Sequence, residues 1–127
     1  MAVKRRTHVV RIFEDSDKVW KVKPKNAQKR SAYLNKVLKG KKQKYGELYV
    51  HRGDDVIFKP EKTDVRIDFF DKSLFRRLIL VVRAGKAEKV TVQNVKPGRN
   101  VFQYDVYCST PKVIAKGGSP PEIIVEP

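Results

Sequence analysis

Apolar and polar residues alternate over short stretches through most of the chain. Val9-Val10-Arg11-Ile12-Phe13, Val65-Arg66-Ile67-Asp68-Phe69 and Phe102-Gln103-Tyr104-Asp105-Val106-Tyr107-Cys108 carry the period of two that sends successive side chains to opposite faces of a strand. Glu47-Leu48-Tyr49-Val50, Val56-Ile57-Phe58, Leu78-Ile79-Leu80-Val81-Val82, Val90-Thr91-Val92 and Ile123-Ile124-Val125 are short runs rich in β-branched and aromatic residues, and Val19-Trp20-Lys21-Val22 adds a further candidate. Turn residues such as Arg52-Gly53-Asp54-Asp55 and Gly117-Gly118-Ser119-Pro120-Pro121 separate them. Strands of this length and spacing predict an all-β fold, a two-sheet sandwich with Greek-key connections.

One segment has a helical period instead. From Ala27 to Lys39 the apolar residues Tyr33, Leu34, Val37 and Leu38 recur at i, i+1, i+4 and i+5, with Asn26 as a candidate N-cap and Gly40 as a stop. Lys29, Lys36 and Lys39 lie opposite Leu34 and Leu38, so one side docks and the other presents charge, while Arg30 falls in the apolar arc and is expected to snorkel outward. The 127 residues suit one domain, 1–127, with a basic helical insertion over about 23–46.

Charge sharpens this picture. Residues 1–50 hold 15 Lys and Arg against 4 Asp and Glu, a balance of +11, whereas residues 51–127 hold 14 against 10, a balance of +4. No acidic residue stands between Lys21 and Lys44, where Lys21, Lys23, Lys25, Lys29, Arg30, Lys36, Lys39, Lys41, Lys42 and Lys44 follow one another. Such a run points to an anionic partner, because Lys and Arg bind phosphates through counterion release. Trp20, Tyr33 and Tyr45 lie in or beside it, as aromatics do where unpaired bases stack, although Trp20 fits a sandwich core as well. The predominance of Lys suits point-charge contacts to phosphate and not bidentate base reading, hence weak sequence specificity. Lys4-Arg5-Arg6 is either an arm reaching into nucleic acid or a solubilising leader to the first strand.

Other chemistry is thinly supplied. One cysteine, Cys108, excludes an intramolecular disulfide and a cysteine zinc cage, and His8 and His51 are the only histidines. Nothing in the spacing brings either histidine to Cys108 as a nucleophile pair, the aspartates 54, 55, 64, 68 and 71 suit turns and solvent faces, and no phosphate-binding Gly-rich loop occurs. A basic start without an apolar run, and no apolar stretch long enough to span a bilayer, predict a cytoplasmic protein without membrane contact.

Residues from about 50 to 127 resemble a cupredoxin domain, the Greek-key sandwich that typically holds blue copper. Gly53-Asp54-Asp55-Val56-Ile57-Phe58 resembles that family's strand entry, Pro97-Gly98 precedes Phe102-x-Tyr104-x-Val106-x-Cys108, and Gly118-Ser119-Pro120-Pro121 with Ile123-Ile124-Val125 resembles its last turn and strand. The resemblance implies the fold and puts Cys108 where the copper thiolate would be. A blue-copper centre also needs two His and a weak axial Met. No His follows Cys108, Thr63-Asp64-Val65-Arg66 offers none upstream, and the only methionine is Met1. No metal or other cofactor is therefore expected, and Cys108 reads as a small buried hydrophobe. Tyr104 is a candidate corner residue whose hydroxyl bonds a nearby backbone group.

These readings combine into a non-enzymatic, copper-free binding protein. Its expected partner is nucleic acid without sequence preference, a ribonucleoprotein surface or another polyanion, held by Lys4, Arg5, Arg6 and the ten cations from Lys21 to Lys44. Two alternatives stay open: a structural or assembly subunit whose sheet edges pair with its own copies or an acidic protein, and a residual copper or electron-transfer module using Cys108.

Overall fold

A computed structural model describes residues 6–26, 28–38, 41, 47–95, 101–109, 113–115 and 121–126. Ten strands and one short helix follow in the order β1 (Thr7–Glu14), β2 (Trp20–Pro24), α1 (Ala32–Val37), β3 (Leu48–His51), β4 (Asp55–Pro60), β5 (Val65–Phe69), β6 (Ile79–Val82), β7 (Glu88–Thr91), β8 (Val101–Cys108), β9 (Val113–Ile114) and β10 (Glu122–Glu126). Every strand expected from alternation is present, while the short β9 is an addition.

The strands form two mixed sheets. The first has the order β2-β1-β4-β7, with β1 and β4 parallel and the outer pairs antiparallel. The second has the order β3-β10-β8-β5-β6, with β9 beside β8; here β3 and β10 run parallel. Strand neighbours distant in sequence place the connections across the two layers, the expected all-β sandwich.

Alternation fills the space between the layers. On β1 and β4 the even residues Val10, Ile12, Val56 and Phe58 are buried, and on β8 Phe102, Tyr104, Val106 and Cys108 are buried while their neighbours are not. Phe58, Phe69, Phe75 and Tyr104 meet with centroids 5.0–6.4 Å apart in tilted and edge-on pairs, the arrangement their ring quadrupoles favour. Trp20 joins this core. Tyr104 corrects an expectation: among the described residues its buried hydroxyl has no hydrogen-bond partner, so it serves as a core ring and not as a corner donor. Burial among aromatics raises its pKa well above the ordinary phenol range.

The helix is shorter than the period from Ala27 to Lys39 suggests. Ser31, not Asn26, caps it, its Oγ accepting from the Leu34 amide at 3.2 Å and donating to Glu126 at 2.6 Å. Six residues form no stable helix alone, and docking sustains this one. Leu34 is fully buried against Tyr49 and Ile124, with Leu38 beside it, so α1 covers the outer side of β3 and β10. The preceding residues are taken out of helical geometry by other bonds. Gln28 brackets Tyr49, its Nε2 donating to the Tyr49 carbonyl at 3.1 Å and its Oε1 accepting from the Tyr49 amide at 3.0 Å, as a neighbouring strand would.

Candidate functional site

The register of the first sheet gathers cations on its outer face. Phe13 stands opposite Lys21, and Arg11 stands opposite Lys23 on one side and Lys59 on the other. Val9 is opposite Ile57, which in turn is opposite Lys89, while the amide of Lys25 bonds the Val9 carbonyl at 2.8 Å. Val10, Ile12, Val22, Val56, Phe58 and Val90 point inward, so Val9, Arg11, Phe13, Lys21, Lys23, Ile57, Lys59 and Lys89, at the alternate positions, lie on the outer face. Six cations, Arg11, Lys21, Lys23, Lys59 and Lys89 from four strands and Lys25 just past β2, thus come together around the less polar Val9, Phe13 and Ile57. A depression of about 460 Å³ lies on this face, lined by Val9, Arg11, Lys25, Ile57, Lys59, Glu61 and Ala87.

Two carboxylates temper the charge. Glu61 accepts from Arg11 Nη2 at 2.6 Å and Nε at 3.0 Å, and the Arg11 guanidinium lies 4.7 Å from the centre of the Phe13 ring. Lys21 Nζ sits 2.8 Å from Asp15, whose carboxyl is held below its usual value by that contact and by the amides of Val19 and Asp17. The Arg11–Glu61 pair is open to solvent, where a competing anion displaces a carboxylate at small cost, while the Lys21–Asp15 pair is partly buried.

The cationic run of the sequence therefore divides. Lys21, Lys23 and Lys25 go to the sheet face; Lys29, Lys36 and Lys41 are exposed around α1 on the other sheet. Arg30 does not snorkel outward. Its side chain is buried, donates to both Glu47 oxygens at 2.8 and 2.9 Å and to Tyr49 Oη at 3.3 Å, and also donates to the Lys41 carbonyl. Burial opposes its charge, but Glu47 and Tyr49 outweigh it and hold the guanidinium above its ordinary pKa. Arg30 is an anchor for the segment, since burial with Glu47 removes it from any external ligand. Arg6 is exposed and its backbone amide bonds Asp54 at 3.1 Å. Lys4, Arg5, Lys39, Lys42, Lys44 and Tyr45 lie outside the described residues. Arg11, Lys59 and Lys89 do not stand out in a reading along the chain, although their odd positions on alternating strands are the signal that places them beside Lys23 and Lys25.

A second ionisable cluster ties the layers together at one end of the sandwich. Asp54, nearly fully buried, accepts from the amides of Arg6 and His51 and lies 2.8 Å from His8 Nε2 and 3.9 Å from His51 Nδ1. Burial raises its pKa, but His8 and the two amides outweigh this and bring it below the usual carboxylate value. Its oxygens are occupied in tethering the strand entry Gly53–Asp55, and no hydroxyl or thiol nucleophile stands against it in these contacts.

The donor set around Cys108 does not fit blue copper. Cys108 is fully buried, stands opposite Val65 and Val113 in the ladder, and burial pushes its thiol up to about 11, which keeps it protonated. Among the described residues no three His, Cys, Asp or Glu side chains converge as a metal site, and no helix is long and apolar enough to cross a membrane.

No family model and no curated protein matches the chain. Among solved structures it is similar to a reduced Cu(I) form, at pH 4, of an amicyanin variant, with 16% identity over 99% of this chain and 86% of that one and a TM-score of 0.45. It is also similar to a Cu(I) form of a second amicyanin variant, with 18% identity over 63% of this chain and 69% of that one and a TM-score of 0.40. The chain's own strand order gives the architecture plainly: among the described residues, an all-β sandwich of two mixed sheets with one short helix.

Proposed function

We propose that this protein binds a polyanion, nucleic acid foremost, through the outer face of the β2-β1-β4-β7 sheet and without sequence preference. The observation that carries the reading is the strand register that sets Lys23, Arg11 and Lys59 side by side, with Lys25 and Lys89 in the next row. Cations on neighbouring strands stand about 5 Å apart and those two apart on one strand about 7 Å. A grid of this kind meets successive phosphates of a chain lying across it, while Phe13 and Ile57 offer flat and apolar contacts to bases or sugars. Lys predominates over Arg on the face, which favours backbone contact over base reading. The protein acts by holding its partner, as a free-standing binder or within a ribonucleoprotein.

Fluorescence anisotropy with labelled single-stranded and duplex DNA and RNA of unrelated sequences tests this. The expected result is binding whose log K falls linearly with log salt, with a slope of about 0.7–0.9 for each phosphate contacted, at similar affinity for each sequence. Absence of binding at low salt refutes it.

A further inference from the structure

The far side of the other sheet ends in an open edge. β6 pairs only with β5, and among the described residues no strand lies beyond it. The Phe69 amide donates to the Leu78 carbonyl at 2.8 Å. Antiparallel pairs alternate between exchanging hydrogen bonds and not doing so, so Leu80 and Val82 also turn their backbone groups toward β5. Ile79 and Val81 then present their N–H and C=O groups to the open edge.

This edge lacks the usual safeguards within the strand. Ile79 and Val81 are more than half exposed, as are the neighbouring Leu78 and Phe70, and no Lys, Pro or inward charge interrupts Ile79-Leu80-Val81-Val82. The charges stand at its two ends. Arg76 and Arg77 precede it and Arg83 follows, its side chain largely exposed and 3.5 Å from Asp64.

We propose that β6 accepts an extended, acidic-flanked peptide segment of another protein as an added antiparallel strand. The ladder of Ile79 and Val81 supplies the backbone bonds, their side chains meet apolar residues at alternate positions, and carboxylates at the segment's ends meet Arg77 and Arg83. Charge selects this occupant over a second copy of the chain. Antiparallel self-pairing that sets Ile79 against Val81 also sets Arg77 against Arg83 of the other copy, and like charges opposite one another destabilise a pair. This surface is separate from the cationic face of the first sheet and does not depend on its function.

The test uses the full chain and a labelled synthetic peptide, Glu-Thr-Val-Thr-Ile-Thr-Glu, with a second peptide carrying Lys in place of both Glu. Titration should show saturable one-to-one binding of the acidic peptide, at least tenfold tighter than the Lys peptide. Val81→Pro removes an outward N–H at a position where the β5 ladder does not use it, and should abolish binding while the far-ultraviolet circular dichroism stays unchanged. Arg77→Glu with Arg83→Glu should invert the preference toward the Lys peptide, a readout that a misfolded variant would not give. Equal binding of the two peptides, no saturable binding, or a concentration-dependent dimer of the unliganded protein that Val81→Pro dissolves would overturn the proposal, the last assigning the edge to a second copy.

Discussion

Replacing Arg30 separates a buried anchor from a presented charge. Arg30→Met leaves Glu47, whose side chain is 1% exposed, without the guanidinium that binds both its oxygens. Removing one member of a buried ion pair costs about 3–5 kcal/mol, because the remaining charge stays desolvated. Unfolding entropy of roughly 2.1 cal/mol/K per residue, over 127 residues, makes each kcal/mol worth about 4 °C in Tm. Arg30→Met should therefore melt about 11–19 °C below the wild type at neutral pH in a scanning calorimeter. Removing both charges with Arg30→Met and Glu47→Leu should recover most of that loss, and Arg30→Lys, which lacks the planar fork, should fall between. Nucleic-acid affinity should follow none of these changes once folding is allowed for. A shift of less than about 4 °C for Arg30→Met, the size of a solvent-exposed ion pair, would refute the anchor.

Three further outcomes follow from the same structure. Asp54 has a folded pKa below its unfolded value, so its charged form contributes stability above about pH 4 that is lost as pH falls through the folded value; unfolding free energies from urea titrations should separate Asp54→Asn from wild type by about 1–3 kcal/mol at pH 6, and the gap should narrow steadily as the pH is lowered below about 4. Glu61→Gln releases Arg11 from its surface ion pair and should tighten nucleic-acid binding about two- to fivefold, the worth of such a pair, in anisotropy titrations. Cys108, buried with its thiol pushed up to about 11, should resist a water-soluble thiol reagent at pH 8 until denaturant is added, and Cu(II) should produce no intense blue band.

Much of the fold is legible in the sequence because β-sandwich cores repeat one local rule. The alternation of Phe102, Tyr104, Val106 and Cys108 is enough to place β8, and each is buried. The helix falls short of its apolar period because that period ignores tertiary bonds: Gln28 is drawn to the backbone of Tyr49 and Arg30 to Glu47, so helical geometry starts only after Ser31. The cationic face is half legible. Lys21, Lys23 and Lys25 are visible as a run, but Arg11, Lys59 and Lys89 reach them only through strand register, which joins positions up to 48 residues apart and leaves no trace in a count along the chain. Arg30 shows the converse, a charge within the run that the fold turns inward against a carboxylate 17 positions away.

Two charge-reversed proteins compared in the same salt titration test the sheet face most directly. One carries Arg11→Glu, Lys23→Glu and Lys59→Glu; the other carries Lys29→Glu, Lys36→Glu and Lys41→Glu, the same change in net charge at exposed positions on and flanking α1. The sheet-face variant should bind every nucleic-acid sequence more weakly and flatten the slope of log K against log salt by up to about 0.7–0.9 for each phosphate it no longer neutralises. The α1 variant should retain most of both affinity and slope. Equal weakening in the two proteins, or a greater effect in the α1 variant, would contradict binding at the β2-β1-β4-β7 face.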